Sequence, residues 1–241
     1  MDLVILSLSL ELDFTRHDQL IYGNTMTDNN ETSGAKDNTE LTLEERKAAR
    51  HKERQQRVKE TVDAKIAAAQ EEKGILLVLT GNGKGKSTSG FGTIARAVGH
   101  GQKAAVVQFI KGNWACGERT LLEGAGVDFH VMGTGFTWET QDREKDTQAA
   151  EQAWEAAEAL LKDESVDCLM LDELTYMVSY HYLDVERVIE ALKNRPKMQH
   201  VIVTGRACHR AIIELADTVS EVQPIKHAFD SGVKAQPGFD Y

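Results

Sequence analysis

No stretch of this sequence approaches the roughly 20 consecutive apolar residues that a membrane helix needs, so no membrane association is expected. The opening run from Met1 to Leu10 is apolar but short. Asp2 stands where an export signal requires positive charge, and no small-residue cleavage site follows. A surplus of basic residues is also missing. With 28 Lys+Arg against 38 Asp+Glu the net charge is −10, which argues against general nucleic-acid binding. An anionic ligand must then be held by a local cluster of N–H groups and lysines. Cysteine is scarce: Cys116, Cys168 and Cys208 are too scattered for a zinc site, and their number is odd. They fit reduced thiols at packing or loop positions in a cytoplasmic protein.

What is present is enough chain, 241 residues, for one sizeable domain with an appendage. Residues 1–40 are polar and aperiodic after the apolar start, and we expect a disordered extension. The change of character at Met26 leads us to expect that residues 1–25 precede the native start. An intact Met1 in the mass spectrum of protein from its native source would refute this. Residues 42–73 read as one charged helix within a 41–73 arm. Thr42 and Glu45 form a capping box, Val58, Val62, Ile66 and Ala69 make a thin apolar stripe, and Gly74 ends it. Such a helix is either solvated and held by i,i+4 ion pairs, or an arm that lays its stripe over a site.

From Gly74 to Tyr241 strands and helices alternate. Strands are expected at 75–80, 104–110, 127–132, 167–171, 200–204 and about 219–222. Helices are expected at about 86–98, 142–162 and 184–192, with another ending near Ala216; Trp154 is a core residue. Between residues 110 and 127 we expect a glycine-rich loop containing Lys111, Trp114, Glu118 and Arg119. Continuous apolar strands separated by helices define an α/β fold with a parallel sheet covered on both faces. Ligands of such sheets sit beyond the carboxyl ends of the strands.

The stretch Ile75–Thr88 carries the chemistry. An apolar strand runs into Gly81-Asn82-Gly83-Lys84-Gly85-Lys86-Ser87-Thr88. Glycines let backbone N–H groups converge on anionic oxygens, a helix start adds partial positive charge, and Lys86 adds a full one. Ser87 can ligate a magnesium ion carried on the phosphates. The first glycine of the usual phosphate-loop pattern is replaced by Thr80. Asp172-Glu173, after another apolar run, can hold magnesium directly or through water. Arg206 and Lys111 each follow a strand and can reach a phosphate. Phe136 and Trp138 flank Thr137 in a glycine-bearing loop. They either cover the sheet end or wall a flat ligand. His209 and His227 lack ligand spacing and read as structural.

Six segments occur together in order: Thr80-Gly-Asn-Gly-Lys-Gly-Lys-Ser87, Val107-Gln-Phe-Ile-Lys-Gly112, Gly135-Phe-Thr-Trp138, Leu171-Asp-Glu-Leu-Thr-Tyr176, Thr204-Gly-Arg206 and Val233-Lys-Ala-Gln236. Over residues 56–241 the chain closely resembles the bacterial P-loop corrinoid adenosyltransferases. The resemblance implies a P-loop NTPase-like α/β domain at 74–241, with a mainly parallel sheet of about six strands, preceded by a helical arm. It implies transfer of the 5′-deoxyadenosyl group of ATP to the Co(I) centre of a corrinoid such as cobalamin or cobinamide, with release of triphosphate. ATP would contact Gly81 to Thr88 and Arg206, with Lys86 and Glu173 as the catalytic pair. Magnesium would be held by Ser87 and Glu173, with Asp172 acting through water. Phe136 and Trp138 match the aromatics that take the lower face of the corrin. The resemblance further implies a homodimer whose N-terminal helix caps a site, and an electron-donating reductase, a flavin protein. Thr80 belongs to the family pattern, Ser87 stands where threonine is common, and Pro237 and Phe239 differ from the usual tail. The competing readings are a P-loop ATPase that couples hydrolysis to conformational change, with Glu173 as base, and a non-catalytic carrier.

Overall fold

The structure, a computed structural model, describes residues 42–110, 116–132 and 143–240. The chain divides into two units, Met1–Ala68 and Ala69–Tyr241. In the first, helix α1 spans Leu43–Ala68. Its start is the expected capping box: the Thr42 N–H donates to Glu45 Oε2 at 2.7 Å, and the Glu45 N–H donates to Thr42 Oγ1 at 3.3 Å. Along the helix Arg57 pairs with Glu53 at 2.7 Å and Gln56 donates to Glu60 at 2.9 Å, contacts worth about 0.2–0.5 kcal/mol each.

The helix stops at Ala68 rather than at Gly74. Gly74 answers a different need. A Cβ there would lie 2.1 Å from the Gln199 carbonyl oxygen, and the Gly74 N–H donates to the Lys197 carbonyl at 2.7 Å. The glycine allows the chain to pass against the segment that leads into the fifth strand.

The second unit is built from β1 (Leu76–Thr80), α2 (Lys86–Gly99), β2 (Ala104–Gln108), α3 (Gly117–Gly124), β3 (Asp128–Val131), α4 (Arg143–Lys162), β4 (Cys168–Asp172), α5 (Leu174–Ser179), α6 (Val185–Lys193), β5 (His200–Thr204), α7 (Arg210–Leu215) and β6 (Thr218–Glu221). All six strands are parallel, in the order β3-β2-β4-β5-β1-β6. The strand alternation of period two divides the core. Leu76, Val78, Val107, Leu169, Leu171, Val201 and Val203 face one side with Trp154 of α4 and Leu192 of α6. Leu79, Val106, Met170 and Ile202 face the other with Phe91 and Ile94 of α2. Burial on both faces explains why the strands read as continuous apolar runs rather than alternating ones. Trp154 is fully buried, as expected.

Two helices depart from the expected pattern. Residues 117–124, expected to be loop, form α3. This helix is only eight residues long, buries a single residue, Leu122, and begins and ends on glycine, which made the stretch read as loop. Six-residue α5 follows Glu173 directly and merges in sequence with the apolar run of β4.

Candidate active site

Strands β1, β5 and β4 are neighbours, with β5 between the other two. Their carboxyl ends therefore present three short segments side by side: the glycine loop, Gly205-Arg206 and Glu173. In the loop, Gly81 and Gly85 have φ of 99° and 113°, backbone conformations that favour glycine. Gly83 is required for closeness. Its N–H donates to the Val222 carbonyl at 2.7 Å, and a Cβ there would lie 2.8 Å from the Gln223 and Val222 oxygens. Helix α2 starts immediately after Gly85 with no capping side chain. Its first N–H groups, which have no intrahelical acceptor, point toward the loop.

Lys86 is buried, and its ammonium donates to the Gly83 carbonyl at 2.7 Å across its own loop. Burial lowers its pKa; Glu173 opposes this, Arg206 adds to it and Asp172 opposes it. The cation is thus held at the foot of the loop by the Gly83 carbonyl, with the charges of Glu173 and Arg206 acting on it in opposite senses.

The two adjacent acids have different environments. Asp172 is fully buried at the end of β4. One carboxylate oxygen accepts from Gln108 Nε2 at 3.1 Å, the other from the Thr204 hydroxyl at 2.8 Å. Glu173 leaves the strand with φ 63°, a conformation that costs a non-glycine residue about 1–3 kcal/mol. Its N–H donates to Thr204 Oγ1 at 3.0 Å. Asp172 therefore faces inward as a brace, whereas Glu173 lines the cleft.

That cleft has a volume of about 790 Å³. One wall carries Gly83, Lys84, Gly85, Lys86, Ser87 and Thr88, together with Glu173 and Arg206. Gly81 and Asn82 are not on it: Gly81 turns the chain behind the loop, its α-carbon side packed on Val222. Facing this wall is the C-terminal tail, including Lys226, His227, Phe229, Lys234 and Phe239. The tail is tied to the loop at both ends. The Val222 N–H donates to the Thr80 carbonyl at 2.8 Å, and Asp240 pairs with Lys84 at 2.8 Å while the Lys84 ammonium lies 5.7 Å from the Phe239 ring centre. Pro237 and Phe239 thus belong to a tail that does return to the loop.

Lys111, Phe136 and Trp138 lie outside the described residues. Gln108 and Thr204 lie within the family segments but were given no role from the sequence, nor was most of the tail. Tyr176 was visible only as the last residue of one quoted segment. Its phenol pKa is raised by burial and then by Glu173. His209 caps α7, accepting from the Ala211 N–H at 3.3 Å. His227 accepts from the Phe229 N–H at 3.2 Å and also borders the cleft. Burial pushes the thiols of Cys168 and Cys208 up to about 11, so neither is a nucleophile at neutral pH.

A parallel sheet, a strand–glycine loop–helix cradle with a buried lysine, and an acid at the end of the strand one place removed from it define a P-loop-like α/β protein. Comparison with known proteins narrows this class. The family described as ATP:corrinoid adenosyltransferase BtuR/CobO/CobP matches residues 72–241, and the one described as Cob(I)alamin adenosyltransferase N terminal matches residues 42–66. The corrinoid adenosyltransferase of Escherichia coli K12 is 64% identical over 192 residues, which span 80% of this chain and 98% of that protein. Those of Salmonella typhimurium and Pseudomonas aeruginosa are 62% and 52% identical, over 80% and 81% of this chain and 98% and 97% of the relatives. The chain belongs to the ATP:corrinoid adenosyltransferases. It is a transferase, and membership implies ATP and a corrinoid as substrates. No helix among the described residues is long and apolar enough to cross a membrane.

Proposed function

We propose that this enzyme transfers the 5′-deoxyadenosyl group of ATP to the Co(I) centre of a corrinoid, releasing intact triphosphate, in adenosylcobalamin synthesis or salvage. The cobalt lone pair forms the Co–C5′ bond, the C5′–O5′ bond breaks, and its electron pair leaves with the triphosphate. The observation that carries this reading is the cleft itself. A polyanion-holding wall of loop N–H groups, Lys86 and Arg206 faces a tail with exposed Phe229, Val233 and Phe239. Catalysis then consists of holding a leaving group, by preorganised donors aimed at the charge that develops on it. Gly81 and Asn82 shape the loop, and Gly83 to Thr88 with Arg206 contact ATP. Lys86 and Glu173 are the residues on which turnover depends.

Ser87 and Glu173 are hard oxygen donors that suit magnesium. Among the described residues no group of three or more His, Cys, Asp or Glu forms a cage for a metal. The donor set fits an ion that arrives on the triphosphate and keeps water ligands, rather than a resident one. Bound there, magnesium would neutralise charge on the leaving group. Asp172, held by Gln108 and Thr204, would reach the ion through water.

On the family resemblance, Phe136 and Trp138 take the lower face of the corrin. They displace its lower ligand and leave cobalt four-coordinate, which eases reduction from Co(II) to Co(I). A flavin-protein reductase supplies the electron. On the same basis residues 41–73 form an arm that caps a site in a cytoplasmic homodimer, and residues 74–241 form the catalytic domain. Incubation with Mg-ATP, cobalamin and a strong reductant tests the reading. Adenosylcobalamin and triphosphate in equal amounts support it. Orthophosphate without change in the corrinoid would instead favour an ATPase, and no turnover a carrier.

A further inference from the structure

Two buried threonines stitch the end of β5 to the start of α5. Thr204 is fully buried. Its hydroxyl donates to Asp172 Oδ1 at 2.8 Å and accepts the Glu173 N–H at 3.0 Å, so its one proton is committed. Thr175 is also fully buried, and its hydroxyl donates to the Arg206 carbonyl at 2.7 Å. Between them, Gly205 (φ 137°) lets the two segments approach. A Cβ there would lie 2.0 Å from Thr175 Oγ1 and 3.1 Å from Glu173 Oε2. Both residues anchored this way have unusual surroundings. Glu173 is in the left-handed region, and Ala207, next to Arg206, has φ 48°. Local sequence preference alone would not hold either conformation.

We propose that Thr204 and Thr175 are positioning residues. Thr204 fixes the backbone from which the Glu173 carboxylate projects, and Thr175 fixes that of Arg206. The metal-side acid and the phosphate-side cation are thereby held in register as one unit. The inference rests on the reading of Glu173 as a magnesium ligand and Arg206 as a phosphate ligand. It extends that reading to two side chains that need touch neither group.

The test uses the full-length protein and two binding readouts. Mn2+ binding in the presence of ATP is followed from the electron paramagnetic resonance signal of the unbound ion. Tripolyphosphate binding with EDTA present is followed by calorimetry. Thr204→Val is expected to weaken Mn2+ about tenfold, because it removes the acceptor of the Glu173 N–H and the Thr204 donor to Asp172 Oδ1. It should leave metal-free tripolyphosphate binding near wild type. Thr175→Val should show the opposite pattern. Thr204→Ser and Thr175→Ser, which keep the hydroxyls, should each restore the wild-type value. In a Glu173→Gln background, Thr204→Val should add little further loss of Mn2+, because both changes act through the same carboxylate. Serine variants as poor as the valine variants would overturn the proposal even if the valine proteins are less stable. So would full additivity with Glu173→Gln. If Glu173→Gln weakens Mn2+ but Thr204→Val does not, the positioning inference alone fails. If Glu173→Gln itself has no effect, the magnesium reading fails and takes the inference with it.

Discussion

Gly205→Ala is the substitution for which the structure yields the clearest magnitude. At φ 137° an alanine bears a backbone strain of about 1–3 kcal/mol, offset by about 0.4–1 kcal/mol from the stiffer unfolded chain. Its methyl would also lie 2.0 Å from the Thr175 hydroxyl. The hydroxyl must move and give up its bond to the Arg206 carbonyl, a further loss of about 0.5–1.5 kcal/mol. At mid-range these contributions leave a destabilisation of about 2 kcal/mol, which for a body of this size lowers Tm by about 4–8 °C. Thermal unfolding by circular dichroism measures it. A second background separates the two causes. Replacing Thr175 with Ala removes the obstructing oxygen, so Gly205→Ala should cost less there, with backbone strain as the main remainder. A Tm within about 2 °C of wild type, or an equal cost in both backgrounds, would refute the reasoning.

Lys86→Met should weaken ATP binding by about 10- to 150-fold, the range for loss of a charge-assisted hydrogen bond; calorimetric binding at the wild-type level would contradict the loop assignment. Asp240→Asn removes the tail's hold on Lys84, whose proximity lowers the Asp240 pKa together with the Gln236 N–H. The tail should then be cut faster by trypsin at Lys226 and Lys234, and an unchanged cleavage rate would mean the contact does not hold it. Cys168 and Cys208, raised from an ordinary 9.0 to about 11 by burial, should resist a thiol reagent at pH 8 in the native protein. Because the unfolded thiols lose their protons first, stability should fall as pH rises from about 9 to about 11; a flat urea-unfolding midpoint across that window would count against it. Replacing Phe136 or Trp138 with Ala should impair adenosylation far more than ATP binding, whereas equal losses would assign that loop a structural role.

Much of the architecture was legible because it is encoded over short spans. The strand–loop–helix order around Lys86 lies within Leu76–Gly99, where each glycine acts on its own turn. The alternation of apolar runs with helices fixed a parallel sheet before any pairing was known, since only a sheet covered on both faces tolerates such runs. The capping box at Thr42 is likewise local. Helix α3 escaped notice because it is eight residues long and bounded by glycines, and Gly74 was misjudged because its reason lies on Gln199.

Within the cleft the division is similar. Lys86, Glu173 and Arg206 were found as residue types at strand ends, but their grouping depends on β5 lying between β1 and β4. Adjacent acids in sequence were given opposite roles by their neighbours: Gln108 and Thr204, from strands on either side, turn Asp172 inward. The tail, which has no period at all, reaches Lys84 through Asp240.

The sequence by itself thus determined the phosphate cradle, the parallel α/β class and the family, because local spacing and short motifs carry them. Only the tertiary structure decided which acid faces the cleft, that Thr204 and Thr175 tie the end of β5 to the segment after β4, and that the C-terminal tail forms its far wall. Those outcomes depend on contacts between residues far apart in the chain, and such contacts leave no periodic trace in the order of residues.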